Sequence, residues 1–562
     1  MFTKAFRALR RKGPRTAQFS NNSFINDSKN RAGKRTLLTI TGFSVVSSVL
    51  AYQYGRASII LNPPDDLFPL KSVTELSGLQ PPKYASEKDF CAAINQLTDL
   101  LGEKNVLNSA VEIEYHTKNE FTTHPPLNHE SPKYVVYAHS TEDVSNIMKI
   151  AHKYSVPVVP YAGGTSLEGH FHSTRPGIVL DVSRMNKVLE VHHDDLDAVV
   201  QAGVNWQNLN KELEPFNLML GTDCGPDGLI SGMINTNASG INASRYGAMI
   251  SNVISVTAVL ADGTVVKTRQ RPRKTSSGYN LTGLFVGSEG TLGVITEAIV
   301  KLHVKPRYET VVVGQFPSIL DITNTVAQLF RQGVNPNAME LLDKDMMHCI
   351  NYSEYFTREW LECPTIFFKI GGLNKTVVDE NLKELKKVTQ VNNCQRLIFA
   401  ENKEEEEELF SARKNAFYAI LNYGRNEIDE NVRLWVTDIA VPISKMSYVL
   451  GKIQEYISES GMQSIILGHV GDGNFHADIF YTEDQKKKCR DTVEKMILLS
   501  LENEGTCTGE HGIGNAKRAY LVKEVGEETV NTMRKIKMSL DPKRILNPDK
   551  VFKIDPNDTE EM

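Results

Sequence analysis

No C-x-x-C pair occurs among the seven cysteines, which are scattered along 562 residues. An odd, unpaired set of thiols argues against a disulfide framework or a zinc ribbon and reads as buried or incidental residues. G-x-G-x-x-G and G-x-x-x-x-G-K-[ST] are missing as well, which removes a Rossmann dinucleotide site and a P-loop, and with them a nicotinamide cofactor and an ATPase. There is no internal repeat. Acid is nearly absent where base is dense: residues 1–60 carry 11 Lys/Arg and one acid, Asp27. Of the chain's 63 Lys/Arg and 68 Asp/Glu, the remainder holds 52 and 67, a net charge near −15. An acidic body argues against a nucleic-acid partner and is compatible with a basic protein partner. A composition of 41% hydrophobic and 23% charged residues is that of a globular chain, and its length allows two or three cores.

The first 26 residues contain Lys4, Arg7, Arg10, Arg11, Lys12 and Arg15, no acid, and Phe2, Phe6 and Leu9 at helical spacing. This pattern predicts a mitochondrial transit segment over 1–35. Residues 36–55 are uncharged and long enough for one membrane span, though rich in Ser and Thr; the alternative is a leader removed on import. Either way the expected place is the mitochondrion, in the inner membrane or the intermembrane space. A lead-in over 56–130 follows, with one helical stretch at 88–101. From residue 131 to 305, strand-like runs (KYVVYA, PVVPY, GIVLDV) alternate with a helical stretch at 142–154 and with Gly/Asn-rich loops. A second region, 306–530, mixes strands (ETVVVGQF, TIFFKIGG, SIILGHV) with longer helices, and a tail occupies 531–562. The five-Glu run at 404–408 reads as a solvated helix face. The pattern is α+β throughout.

Two loops of the first region, PYAGGTSLEGH and CGPDGLISGMINTNASG, adjoin strand-like runs. Glycine has no Cβ, so backbone N–H groups can converge on an anion there, and neighbouring hydroxyls add donors. A diphosphate needs that geometry, although tight turns alone would also use such glycines. With RYGAMISNVISVTAVLADGTVV and LFVGSEGTLGVITE, these loops resemble the FAD-binding domain of the vanillyl-alcohol-oxidase-type flavoproteins. The resemblance implies a two-lobed α+β domain that holds FAD. Its expected contacts are Tyr161, Gly163, Gly164, Thr165, Ser166 and Leu167 in the first loop, and Gly225, Pro226, Ser231, Gly232, Asn237, Ala238, Ser239 and Gly240 in the second. Gly293, Ile295 and, from the tail, Asn547 complete the set. Similar proteins have Pro at the place of Cys224 and Gly at that of Ser231. His170 and His172 read as ordinary packing or surface residues, with no case for a covalent flavin link.

In the second region HVGDGNFH places His469 and His476 across a Gly-Asp-Gly turn, and GEHGIG sets Glu510 beside His511. Two imidazoles and a carboxylate are a common catalytic set for a divalent ion with open positions. These motifs resemble the D-2-hydroxy-acid dehydrogenase branch of the same flavoproteins. That resemblance implies His469, His476 and Glu510 as ligands of a divalent metal, zinc being expected, His511 as general base, and an α+β substrate, or cap, domain. Arg413 corresponds to an arginine that binds the substrate carboxylate, or else pairs with the acidic helix face. The chemistry is coherent: a Lewis acid lowers the hydroxyl pKa, a neutral imidazole accepts the proton, and the flavin takes hydride.

Over residues 130–554 the chain resembles the fungal mitochondrial members of that branch that use cytochrome c, through RPRKTSSGYNLTGLFVGSEGTLG, NAMELLD, FFKIGG, LENEGTCTGEHG and the tail. D-lactate is the substrate this implies, cytochrome c the electron acceptor, and inner-membrane association is compatible with it. Segment 434–442, LWVTDIAVP, has no Lys or Arg for a second carboxylate, unlike enzymes of D-2-hydroxyglutarate, the alternative substrate. Two other classes fit the sequence less well: a mononuclear iron oxygenase leaves the Gly-rich loops unexplained, and a non-catalytic binding protein leaves His511 and the ligand set unexplained.

Overall fold

The computed structural model describes residues 71–119, 122–353 and 358–558. The expected transit segment and membrane span lie outside the described residues. Among the described residues, no helix is long and apolar enough to cross a membrane.

Three sheets organise the unit Val73–Met562. The first has four strands: Tyr134–Tyr137 and Val158–Tyr161 run parallel on either side of Ile178–Asp181, and Val106–Leu107 adds an antiparallel edge. Parallel neighbours need a crossover, and the helix Thr141–Tyr154 supplies it. Ser140 caps that helix by accepting from the Asp143 N–H, Glu142 and Asp143 favour its positive end, and Ser155 closes it in the left-handed conformation. Val144, Ile147, Met148 and Ala151, at helical spacing, pack with Val136, Val158 and Leu180 of the sheet.

The second sheet, of six strands, spans Val188–His192 to Val294–Val304 and is antiparallel. The third has eight strands, from Tyr308–Gln315 to Asn474–Tyr481, so the chain passes to it across residues 305–307. Its order sets Ala338–Leu342 beside Ser464–His469, and Ser464–His469 beside Asn474–Tyr481. Helices Ile319–Arg331, Ile443–Ser460 and Lys486–Glu502 cover one face of it with Val312, Phe368, Ile466, Phe475 and Ile479 as core.

The runs at 133–138, 157–161, 177–182, 309–316, 365–372 and 464–470 are strands, and the stretches at 88–101 and 142–154 are helices, Glu87–Leu101 and Thr141–Tyr154. The tail returns to the first sheet: Leu546 bridges Val158 in parallel, and the Asn547 N–H donates to the Val158 carbonyl at 2.7 Å. Helix Glu527–Leu540 is pinned to the glycine-rich region by Lys537, whose buried Nζ donates to Asp541 and to the carbonyls of Thr291 and Leu546.

Candidate functional site

Register explains how the histidines meet. Leu467 pairs with His476, so His469, two residues beyond Leu467, shares its face. On the other side His469 pairs with Glu340, which adds a carboxylate to that face. His469 Nδ1 lies 2.8 Å from Glu340 Oε1, and His476 Nδ1 lies 2.8 Å from the Thr437 carbonyl. Both acceptors are oxygens, so each Nδ1 carries the proton and each Nε2 presents a lone pair. The two Nε2 atoms lie 3.2 and 3.4 Å from Glu510 Oε1. Three lone-pair atoms converging within 4.8 Å repel one another unless a cation or proton lies among them, so the donor set fits a divalent ion. Charge agrees with that fit. Burial alone would push the Glu510 carboxyl up, but the two imidazoles hold it well below the usual range. Burial lowers the His469 pKa, but Glu340 and Glu510 outweigh it and raise the pKa well above its ordinary value, so this place favours a positive charge, a proton on Nε2 or a cation in its stead.

The loop that carries Glu510 is hung on Asp438, which is buried. Its Oδ2 accepts from the N–H groups of Glu510 (2.9 Å) and His511 (2.7 Å) and from the Thr508 hydroxyl (2.7 Å). Its Oδ1 accepts from Asn474 Nδ2 at 2.9 Å. His511 stacks on His476, ring centroids 5.0 Å apart and planes 11° from parallel, with Nδ1 3.9 Å from Asp438 Oδ2. Burial, the largest influence, lowers the His511 pKa, His476 adds to the effect, and Asp438 opposes it without prevailing. The ring is therefore a neutral imidazole able to accept a proton.

The first glycine-rich loop fits an anion. Asn119 Nδ2 binds the carbonyls of Gly164 (2.7 Å) and Ser166 (3.0 Å), turning them to one side. Among the described residues, the N–H groups of Gly163, Gly164, Thr165 and Ser166 donate no hydrogen bond within the protein. Gly164 has φ +64°, and a Cβ there would lie 2.0 Å from the hydroxyl of Tyr161. A Cβ at Gly163 would meet the Asp227 carbonyl at 2.8 Å, so this loop lies against the second one, which contains Gly225 and Pro226. Gly225 faces open space and Gly232 meets only Ala162, at 3.9 Å; chain packing does not demand glycine there, and a bound group can use the room. Asn237, in the left-handed region, spends its side-chain oxygen on the Ile250 N–H, whereas no backbone bond from the N–H of Ser239 or Gly240 is present among the described residues. Ser231 and Ala238 are buried, and Leu167 binds Thr122 and Thr123 through its carbonyl. A Cβ at Gly293 would meet Phe285 at 2.8 Å, and the Ile295 side chain belongs to the core of the six-stranded sheet. Asn547 is buried and donates to the carbonyls of His170 (3.1 Å) and Glu289 (2.7 Å).

The two motif clusters adjoin. Glu289 accepts from the N–H groups of Ile513 (2.7 Å) and Gly514 (2.8 Å), and Asn515 N–H donates to the Glu168 carbonyl (3.1 Å). Lys517 Nζ lies 2.8 Å from Glu168 Oε1, both buried. His170 sits 3.3 Å from Glu289, buried with His172. Arg413 does not pair with the acidic helix face: its Nε lies 2.7 Å from Glu340 Oε2, while Glu405 and Glu408 of that face pair with Arg358. Glu340, Glu289 and Asp438 lie in the segments NAMELLD, LFVGSEGTLGVITE and LWVTDIAVP, but no local pattern gives their role, since each acts on residues far away in sequence.

Residues 132–269 match the family "FAD binding domain", and residues 305–551 match "FAD linked oxidases, C-terminal domain". By fold the chain is similar to 4-ethylphenol oxidase from Gulosibacter chungangensis (TM-score 0.70, 18% identity, 86% of this chain and 100% of that one). It is also similar to p-cresol methylhydroxylase (TM-score 0.69, 16% identity, 85% and 99%). The class is thereby defined: the chain belongs to the FAD-linked oxidases, with the vanillyl-alcohol-oxidase-type fold that the loops led us to expect, and it binds FAD. Within that family its curated relatives include the mitochondrial D-lactate dehydrogenase [cytochrome] of Kluyveromyces lactis, 45% identical over 93% of this chain and 91% of the relative. The corresponding enzyme 1 of Saccharomyces cerevisiae is 46% identical over 87% and 85%, and a D-lactate dehydrogenase of Archaeoglobus fulgidus is 34% identical over 75% and 91%.

Proposed function

We propose that this chain is a mitochondrial FAD-dependent dehydrogenase that oxidises D-lactate to pyruvate and passes the electrons to cytochrome c. The observation that carries this reading is the position of His511, stacked on His476 beside a two-imidazole, one-carboxylate cluster whose loop is hydrogen-bonded to Glu168 and Glu289 of the glycine-rich segments. When bound, FAD supplies the hydride acceptor and a divalent cation, zinc in this reading, supplies a Lewis acid at the substrate hydroxyl. His469, His476 and Glu510 hold the cation. Arg413, whose Nη groups are free of hydrogen bonds within the described protein, receives the substrate carboxylate. His511 accepts the hydroxyl proton, and the carboxylate of Asp438, 3.9 Å from its Nδ1, favours the positive charge that the ring then carries. The N–H groups of 163–166, with Gly225 and Gly232, hold the diphosphate of FAD; Tyr161, Leu167, Pro226, Ser231, the 237–240 turn, Gly293, the backbone of Ile295, and Asn547 line the rest. Residues 131–305 form the FAD-binding part, 306–530 the substrate and metal part, and 531–562 the returning tail. Names of the relatives support the mitochondrial setting; the basic leader is read as the transit segment and 36–55 as the membrane contact. Segment 434–442 offers Thr437 and Asp438 to the histidines and no cation for a second carboxylate, which favours lactate over D-2-hydroxyglutarate.

Steady-state turnover of D-lactate, L-lactate and D-2-hydroxyglutarate with cytochrome c as acceptor, before and after dialysis against a chelator, tests the reading. D-lactate should be preferred and its turnover should vanish with the metal and return with Zn(II). Preference for D-2-hydroxyglutarate, or turnover that survives metal removal, contradicts it.

A further inference from the structure

Glu340 lies in the strand Ala338–Leu342, fully buried, and divides its carboxylate between two different side chains. One oxygen takes the Nδ1–H of His469 at 2.8 Å, the other takes the Nε–H of Arg413 at 2.7 Å. An arginine that serves only to neutralise a buried carboxylate usually engages it with two parallel N–H···O bonds. Here the guanidinium gives one N–H, its Nη donors make no hydrogen bond among the described residues, and the second oxygen goes to an imidazole of the proposed metal set. We infer that Glu340 is a positioning residue that serves both halves of the site at once, fixing the tautomer of His469 for the cation and aiming Arg413 at the substrate carboxylate. The inference rests on the metal and arginine roles proposed above.

The chemistry of the amide isostere makes this testable. A carboxylate accepts on both oxygens, whereas the side chain of Glu340→Gln accepts on one and donates on the other. With its oxygen toward His469, its NH2 faces the Arg413 Nε–H, and two donors push the guanidinium away. With its oxygen toward Arg413, its NH2 faces His469 Nδ1, and the imidazole must move its proton to Nε2, the atom that the cation needs. Either orientation spoils one partner.

The experiment uses the FAD-loaded full chain. Zn(II) affinity is measured by competition with a chelator, and KM and kcat for D-lactate are measured at saturating Zn(II). In Glu340→Gln we expect Zn(II) affinity to fall by about 10-fold to 100-fold, the usual effect of removing a partner of a ligating histidine, or KM to rise about 10-fold with a smaller change in kcat. A loss of ground-state anchoring acts on KM in that way, while a general loosening of the fold would lower FAD content and kcat together. Should Glu340→Gln fail to retain FAD, Glu340→Asp carries the same test, because its shorter arm cannot reach both partners. Zn(II) affinity and KM both within threefold of the parent, in a variant that retains FAD, overturn the role of Glu340 alone. A parent protein that binds no Zn(II) and oxidises D-lactate without it overturns the metal reading and this inference with it.

Discussion

At the residue scale the account turns on His511. Its burial and its stacking on His476 keep it neutral, and Asp438 fixes the backbone that carries it. Replacing His511 by Ala should lower turnover by about two to four orders of magnitude, the contribution of a positioned general base, while FAD content stays that of the parent; flavin absorbance and steady-state kinetics on the same sample check this. Near-normal turnover would return His511 to a packing role. His469, His476, Glu510 and His511 were legible because each sits in a short glycine-framed motif. Their supports were not: Glu340 is 129 residues from His469, Asp438 is 73 from His511, and Glu289 is 224 from Ile513. Sheet register and loop packing bring these pairs together, and neither is written in a local pattern. Arg413 was legible as a candidate, but its partner was not, because Glu340 is hidden in an apolar strand.

At the scale of elements, the join between the 163–170 loop and the 510–517 loop is close enough to be broken by one methyl group. Gly514 has φ +54°, and a Cβ there would lie 1.8 Å from the Glu168 carbonyl. Gly514→Ala should therefore displace Glu510 and His511 relative to the 163–170 loop; a shift of about 1 Å can cost about 10²-fold in rate. We expect that loss of kcat with FAD retained, measured as the flavin-to-protein ratio beside turnover; an unchanged kcat would show that the two loops need not touch. Strands such as Val158–Tyr161 and Thr365–Gly372 were legible as runs of β-branched and aromatic residues, and the helix Thr141–Tyr154 by its apolar spacing and its acidic start. The parallel pairing of Tyr134–Tyr137 with Ile178–Asp181, and the return of Leu546 to Val158, depend on contacts far apart in the chain and could not be read from it.

At the scale of the whole molecule, pH and charge give two expectations. His172 is buried beside Lys550, and its pKa is pushed down from 6.5 to about 3, burial being the larger cause and Lys550 the next. Between those values the unfolded chain holds more protons at this ring than the folded one, so the stability it contributes is lost as pH falls below 6.5. His172→Gln should reduce the loss of stability between pH 6.5 and 5 by about 1–2 kcal/mol; denaturant unfolding at the two pH values measures it, and an unchanged difference would contradict it. The acidic body should also attract a basic haem protein, so the rate with cytochrome c should fall as salt shortens the Debye length from about 10 Å at 0.1 M to about 3 Å at 1 M, whereas the rate with a neutral dye should hold. A salt-independent rate would remove charge steering from the account. The central claim, that this chain takes hydride from D-lactate onto its flavin, is tested most directly by anaerobic mixing of the purified, metal-loaded protein with each enantiomer of lactate. The flavin absorbance should bleach with D-lactate and persist with L-lactate. A flavin that stays oxidised in D-lactate, in protein that a chemical reductant can still bleach, would contradict it.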